Sequence, residues 1–225
     1  MYVVTLEQRR REAGDLVPEL VRRLADLRTV VPFQGARAHA VQGITDDPAA
    51  AVAAALAGLR GGAWSVGIGT GAVRLETATG PDGRVGLRAD GPATVHARRA
   101  AEAAARTGRV PVCVAAADAQ AAADAQAVLR LLGRIVAQRT EAEWRAVDLL
   151  VPGARGQQKA VAAELGITPQ AVSKAVARSL WHEEWEARPA AARLLALCDA
   201  VGERAGGPPD QEEGSSINPS ETIHS

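Results

Sequence analysis

Aromatic side chains are almost missing from this chain. Its 225 residues hold four tryptophans, one tyrosine and one phenylalanine, 3% in all, although 47% of the residues are hydrophobic. A core built here must rest on Val, Leu, Ile and abundant Ala, with the tryptophans as its few large anchors. Cysteine is scarce too. Cys113 and Cys198 stand far apart and no CxxC occurs, which excludes a zinc ribbon and a disulfide scaffold. They lie in the apolar runs "VPVCVAA" and "LLALCDAV" and are expected as small buried residues, not nucleophiles. No uncharged apolar run reaches the ~18 residues that a membrane-spanning helix needs, and no apolar leader opens the chain. The expectation is a cytoplasmic protein with no membrane partner. A formal net charge of zero excludes a chain that is basic throughout.

The charge is nevertheless uneven. Between 152 and 180, Arg155, Lys159, Lys174 and Arg178 face only Glu164, a local excess of +3. From 203 to 225, Arg204 faces Glu203, Asp210, Glu212, Glu213 and Glu221, a local excess of −4. A basic patch of the first kind can hold phosphates on a neutral protein. The second stretch is also rich in Pro, Gly and Ser and is expected to be disordered.

Up to about residue 117 the pattern alternates between strand and helix. "MYVVTL" is rich in β-formers. "GDLVPELVRRLADLR" spaces Leu16, Leu20, Leu24 and Leu27 at helical intervals, with Asp15 as N-cap. "TVVPFQ" and "AHAVQGI" predict two short strands. "DDPAAAVAAALAGLR" predicts a helix capped by Asp47 and stopped by Gly61 and Gly62. "AWSVGIGTGAV" follows as a strand, then a glycine-rich loop or frayed hairpin over 74–91, a helix over "PATVHARRAAEAAART", and the strand "VPVCVA". This β-α-β-β-α-β order, extended by α-β, predicts an α+β fold: a ferredoxin-like sheet with helices on one face over 1–117. Glycines 67, 69 and 71 are read as close packing against a neighbouring element, since no helix N-terminus follows them at once.

Residues 118–202 read as all-helical. Val128, Leu129, Leu132, Ile135 and Val136 form one apolar stripe, and Thr140 with Glu143 forms a capping box. Within "QQKAVAAELGITPQAVSKAVARSL", two short helices, 157–165 and 169–180, meet at Gly166. Ala162 stands at their expected point of contact. Thr168 can cap the second helix and Pro169 fits its first position. Val161, Leu165, Ile167, Val172, Ala175, Val176 and Leu180 are assigned inward. Gln170, Ser173, Lys174, Ala177 and Arg178 are assigned outward and include no acid. Their donors suit base edges and phosphates in a major groove. The same spacing also fits a plain helical hairpin with a solvated face, or a surface that docks RNA or protein.

"KAVAAELGITPQAVSKAV" resembles the helix-turn-helix of bacterial transcription regulators and sigma-factor-like domains, over roughly residues 140–182. The resemblance implies double-stranded DNA as partner, with Thr168, Gln170, Ser173 and Lys174 as contacts and Gln158 and Arg178 as flanking phosphate contacts. "VVTLEQ", "AVQGI", "WSVGIGTG" and "GPATVHARRA" look like the N-terminal half of SatD-like actinobacterial proteins, whose sheet is similar to the palm of class III nucleotide cyclases and diguanylate cyclases. That palm holds two magnesium ions on an acid ending the first strand and on acids in the hairpin between the second and third. Here Glu7 takes the first position, but the hairpin reads Ala38-His39-Ala40 and Arg37 precedes it. One carboxylate cannot hold two hard cations. The expectation is a sheet without catalysis, metal or cofactor, used for sensing or for pairing two copies. A nucleotide-processing enzyme and a protein-interaction module stand as alternatives.

Beyond the basic helix, Trp181 is expected over the small helical core. Glu183, Glu184 and Glu186 are expected to carry negative charge away from DNA. "ARPAAARLLALCDAV" predicts a further helix. Its Ala191, Leu194, Leu195, Leu197 and Val201 can pack within the chain or against a second copy, as in a homodimer.

Overall fold

The computed structural model describes residues 1–9, 14–37, 39–79 and 85–205. The fold is α+β, with a mixed five-stranded sheet and eight helices among the described residues. Strand β1 (Tyr2–Gln8) is central. It runs antiparallel to β3 (Ala40–Thr45) on one side and to β4 (Trp64–Thr70) on the other. β2 (Val31–Arg37) pairs antiparallel outside β3, and β7 (Val112–Ala115) pairs parallel outside β4, so the order is β2-β3-β1-β4-β7. β5 (Arg74–Thr79) and β6 (Val85–Asp90) form a separate hairpin, one of the two readings of the glycine-rich 74–91 stretch. Leu75 and Ala89 of this hairpin pack against a cluster of Val3, Val31, Ile44, Ala93 and Ala97, which gives it an apolar support.

The period of two along β1 decides which helices cover which face. Tyr2, Val4 and Leu6 join the main core; Val3 joins a second cluster on the opposite face. The main face is covered by α1 (Val17–Arg23), α2 (Pro48–Leu59), α4 (Ala119–Gln138) and α8 (Trp181–Ala205). The opposite face carries α3 (Pro92–Arg106), which packs on β4, β7 and β1. Helices thus lie on both faces, not on one as the sequence suggests.

α3 approaches so closely because β4 presents glycines to it. A Cβ on Gly67 would fall inside the backbone of Ala101, and one on Gly69 inside that of Ala97 and Ala93. The small residues Ala93, Ala97, Ala100, Ala101 and Ala104 complete the contact. The glycines of "GIGTG" serve this packing, as expected.

α2 starts as predicted, with Asp47 Oδ1 accepting from Ala49 N at 2.8 Å, and ends at Leu59, with Gly61 and Gly62 at positive φ in the turn just beyond it. α1 is shorter than predicted. Leu16 holds its N-cap position, while Asp15 Oδ1 accepts from Val17 N at 3.0 Å. His39 lies on the β2–β3 turn at φ 61°, half-buried. Ala38 lies outside the described residues.

Among the described residues no strand pairs beyond β7, and side chains of α4 take up its outer edge. Gln126 Oε1 accepts from Val114 N at 3.1 Å, and Arg130 Nε donates to Val112 O at 3.3 Å. The edge is thereby closed to strand addition. Arg130 also reaches Cys113 Sγ at 3.5 Å; burial pushes that thiol up, and the guanidinium partly offsets it.

Residue 117 falls between β7 and α4, and the core is continuous across it. Leu129, Leu132 and Val136 of α4 and Ala191, Leu195 and Cys198 of α8 share one cluster with Leu56, Leu59 and Val66. Ala191 and Leu195 therefore pack within the chain, whereas Leu197 is 53% exposed. α8 is one helix from Trp181 to Ala205, running through Pro189, and begins six residues before the predicted "ARPAAARLLALCDAV". Pro189 forfeits one helical hydrogen bond, but it is exposed and the helix is held along its length by α2 and α4. α8 also enters the segment expected to be disordered by three residues; 206–225 lie outside the described residues.

Candidate nucleic-acid interface

Three helices precede α8 and share a small core of their own. α5 (Glu141–Val147) begins with the predicted capping box: Glu143 N donates to Thr140 Oγ1 at 3.3 Å and Thr140 N donates to Glu143 Oε2 at 2.9 Å. α6 (Gln158–Leu165) and α7 (Pro169–Arg178) follow. Val147, Val161, Ala162, Val172, Val176 and Trp181 pack together, with Leu165 against them. Before α6, Gln157 ties its own loop: its Nε2 donates to Val151 O at 2.8 Å and to Ala154 O at 3.0 Å.

The corner between α6 and α7 is built as its residues require. Gly166 stands at φ 66°, a left-handed position that glycine takes without steric cost. Ile167 N donates to Ala162 O at 3.0 Å, which closes the turn. Thr168 Oγ1 then accepts from Ala171 N at 3.2 Å and caps α7, with Pro169 in its first position. α7 therefore begins with its positive dipole end at the surface.

Val172, Ala175 and Val176 are buried, and Thr168, Gln170, Ser173, Lys174, Ala177 and Arg178 are exposed. The predicted outward residues thus share one open face. Thr168 is partly committed to its cap. Gln158, at the start of α6, is half-buried.

Two inward assignments are overturned. Ile167 is 44% exposed, because it belongs to the turn and not to either helix. Leu180 is 41% exposed, because α7 stops at Arg178 and Leu180 takes φ 51°, so the helical period no longer applies. Nor is the face wholly without acid. Glu143 of α5 reaches Arg178, with its Oε1 at 3.5 Å from Nε. Arg178 is 72% exposed there, so water screens the pair.

Glu184 was expected as surface charge, and it is fully buried. It pairs with Arg139 at 3.0 Å and also with Arg188. Arg139 Nε donates to the Ser179 carbonyl at 2.8 Å, just after α7. Nearby, Arg60 at the end of α2 makes two hydrogen bonds to Asp148, of 2.7 and 2.6 Å, and lies 3.9 Å from the centre of the Trp144 ring. Arg139 approaches the same indole at 4.9 Å. These groups join α2, α4 and α8 to α5 and to the end of α7. Sequence spacing offered one signal for them, the i,i+4 pair Glu184–Arg188; Arg60 and Asp148 are 88 positions apart.

On the sheet, Glu7 lies opposite Ala40 and Ser65 in the β1 register. No cluster of three metal-binding side chains occurs among the described residues. His96 Nδ1 stands 2.8 Å from Thr70 O, which fixes the ring against the end of β4, and Arg98 and Arg99 beside it are exposed. No described helix is long and apolar enough to cross a membrane. Comparison with family models, with curated proteins and with solved structures finds no match.

Proposed function

We propose that this chain is a sequence-specific DNA-binding regulator. In this reading α6 and α7 form a helix-turn-helix with α7 as the reader, and strands β2-β3-β1-β4 with their two crossover helices form a ferredoxin-like, palm-like unit without catalysis. Two copies of the chain would read two half-sites. The observation that carries the reading is the exposed face of α7. Gln170, Ser173 and Lys174 stand on it side by side, on a helix whose capped N-terminus is open to solvent. An amide, a hydroxyl and an ammonium suit base edges and phosphates, and the dipole end favours a phosphate. The buried opposite face keeps α7 rigid, which a base-reading helix needs.

Selection of bound sequences from a random DNA pool tests the proposal and reports half-site spacing. Lys174→Ala is expected to weaken all sequences alike and to lower the salt slope by ~1, as for one lost phosphate contact. Gln170→Ala is expected to relax choice at one base pair, at ~1–3 kcal/mol. No enrichment from the pool and no retardation of DNA at low salt would overturn the reading.

A further inference from the structure

Three of the four tryptophans line one cleft of about 320 Å³: Trp144, Trp181 and Trp185. Trp64, the fourth, lines a neighbouring cleft of about 380 Å³, and the two share Arg23, Arg60, Arg139 and Trp144 as a common wall. A chain with so few aromatic rings has collected its indoles where the sheet meets the α5–α7 helices. The first cleft is also lined by four guanidinium groups, Arg23, Arg60, Arg139 and Arg188, against Asp148 and Glu184, with Arg23 paired to Glu19 outside it. Glu184 serves two guanidinium groups with a single carboxylate. Arg139 Nη2 and Glu184 Oε2 face each other as an ion pair, yet neither atom completes a hydrogen bond. On the other side of the wall, Glu19 and Glu141 reduce the positive excess.

We propose that the first cleft is a binding site for a small aromatic carboxylate. Its volume lies in the range of small-molecule sites. Indole and guanidinium faces together favour a planar ring, and a guanidinium fork favours a carboxylate. Arg60 already displays the second geometry, holding both oxygens of Asp148 while 28% exposed. Asp148 therefore occupies the place that a ligand carboxylate takes. Binding exchanges one carboxylate for another on Arg60 and releases Asp148, the C-terminal cap of α5, to water. Asp148 is 44% exposed, so its release leaves no buried charge behind. The ligand's ring lies beside Trp144 and Trp185, against the guanidinium groups of Arg60 and Arg188 that already stack on those indoles, and its carboxylate sits on Arg60.

The site stands independently of the DNA reading, and its test uses no DNA. The full chain is titrated with benzoate, with its neutral isostere benzamide and with inorganic phosphate, followed by tryptophan fluorescence and calorimetry. Benzoate is expected to bind saturably and at least about tenfold more tightly than either comparator, the worth of one charge-assisted fork or of one stacked ring. Arg60→Gln should weaken benzoate about tenfold or more, with Arg60→Lys between the two. Asp148→Asn removes the internal competitor and should tighten benzoate severalfold, an effect that loss of structure cannot imitate, so it decides the matter even if Arg60→Gln fails to fold. Absence of saturable benzoate binding overturns the proposal. So does benzamide or phosphate binding as tightly as benzoate, or Asp148→Asn failing to tighten it.

Discussion

Replacing Glu184 by Gln isolates the buried charge on which the junction rests. The Glu184 side chain has no solvent exposure and that of Arg139 has 2%, whereas Arg188 retains 24%. Glutamine keeps the shape and removes the charge. Arg188 can then turn to water. Arg139 cannot, and keeps only the Ser179 carbonyl and the face of Trp144. Breaking a buried pair from one side costs about 3–5 kcal/mol, because the remaining charge stays dry. A glutamine carbonyl still offers Arg139 a dipole, so the lower end, about 3 kcal/mol, is expected. That is a large share of the ~5–15 kcal/mol typical of a folded domain. Urea unfolding should show a lower midpoint with an unchanged slope, and the melting temperature should fall by roughly 6–12 °C. The double variant Arg139→Met, Glu184→Leu removes both charges from the dry site and should recover most of the loss. If Glu184→Gln remains within about 1 kcal/mol of the parent, water reaches Arg139 and the burial argument is wrong.

Three further outcomes follow from separate features. Gly69→Ala places a Cβ inside the α3 backbone, which no side-chain rotation can relieve, so a loss of about 3 kcal/mol or more is expected in urea unfolding. Leu180→Gly, at an exposed position with φ 51°, should raise stability by about 0.5–1 kcal/mol, read as a higher melting temperature. Burial pushes the Cys198 thiol up to about 11 from an ordinary value near 9. The folded chain thus keeps a proton that the unfolded chain loses. The stability from this group is whole below pH 9 and declines as pH rises toward 11, by up to about 2–3 kcal/mol, and Cys198→Ala should flatten that decline.

What could be read from the sequence is what neighbours in the chain decide. The Thr140–Glu143 box, the Asp47 cap, the left-handed Gly166 and the Thr168-Pro169 start of α7 each involve residues within a few positions, and each has one stable local solution. The open face of α7 followed from the same local period. The errors lie where a distant element intervenes. Leu180 fails the period because the chain must reverse into α8. Glu184 reads as surface charge among Glu183 and Glu186, and only the approach of Arg139 from α4 makes its burial tolerable. The stripe on α4 was plainly apolar, but nothing local says that the sheet's own helix α2 and the far helix α8 cover it. The Arg60–Asp148 fork had no sequence signal, since neither residue differs from an ordinary surface charge until the fold brings them together.

The division of residue types between sheet and junction has a mechanical consequence. The sheet is assembled from small residues at close approach, as where α3 lies on Gly67 and Gly69, and such contacts have no directional polar chemistry. The junction is the reverse: indoles, guanidinium groups and carboxylates, whose geometries are specific. α4 lies against β7 through Gln126 and Arg130, and the residue after its last turn, Arg139, holds the carbonyl that ends α7. The proposed reader helix is thereby referenced to the sheet through one rigid helix and one hydrogen-bonded guanidinium. Arg60 provides a second reference, from α2 to the end of α5. Trp181, the first residue of α8, adds a third through the core it shares with Val147, Val161, Val172 and Val176, so releasing the Arg60 fork leaves the proposed reader helix held at Ser179 and through that core.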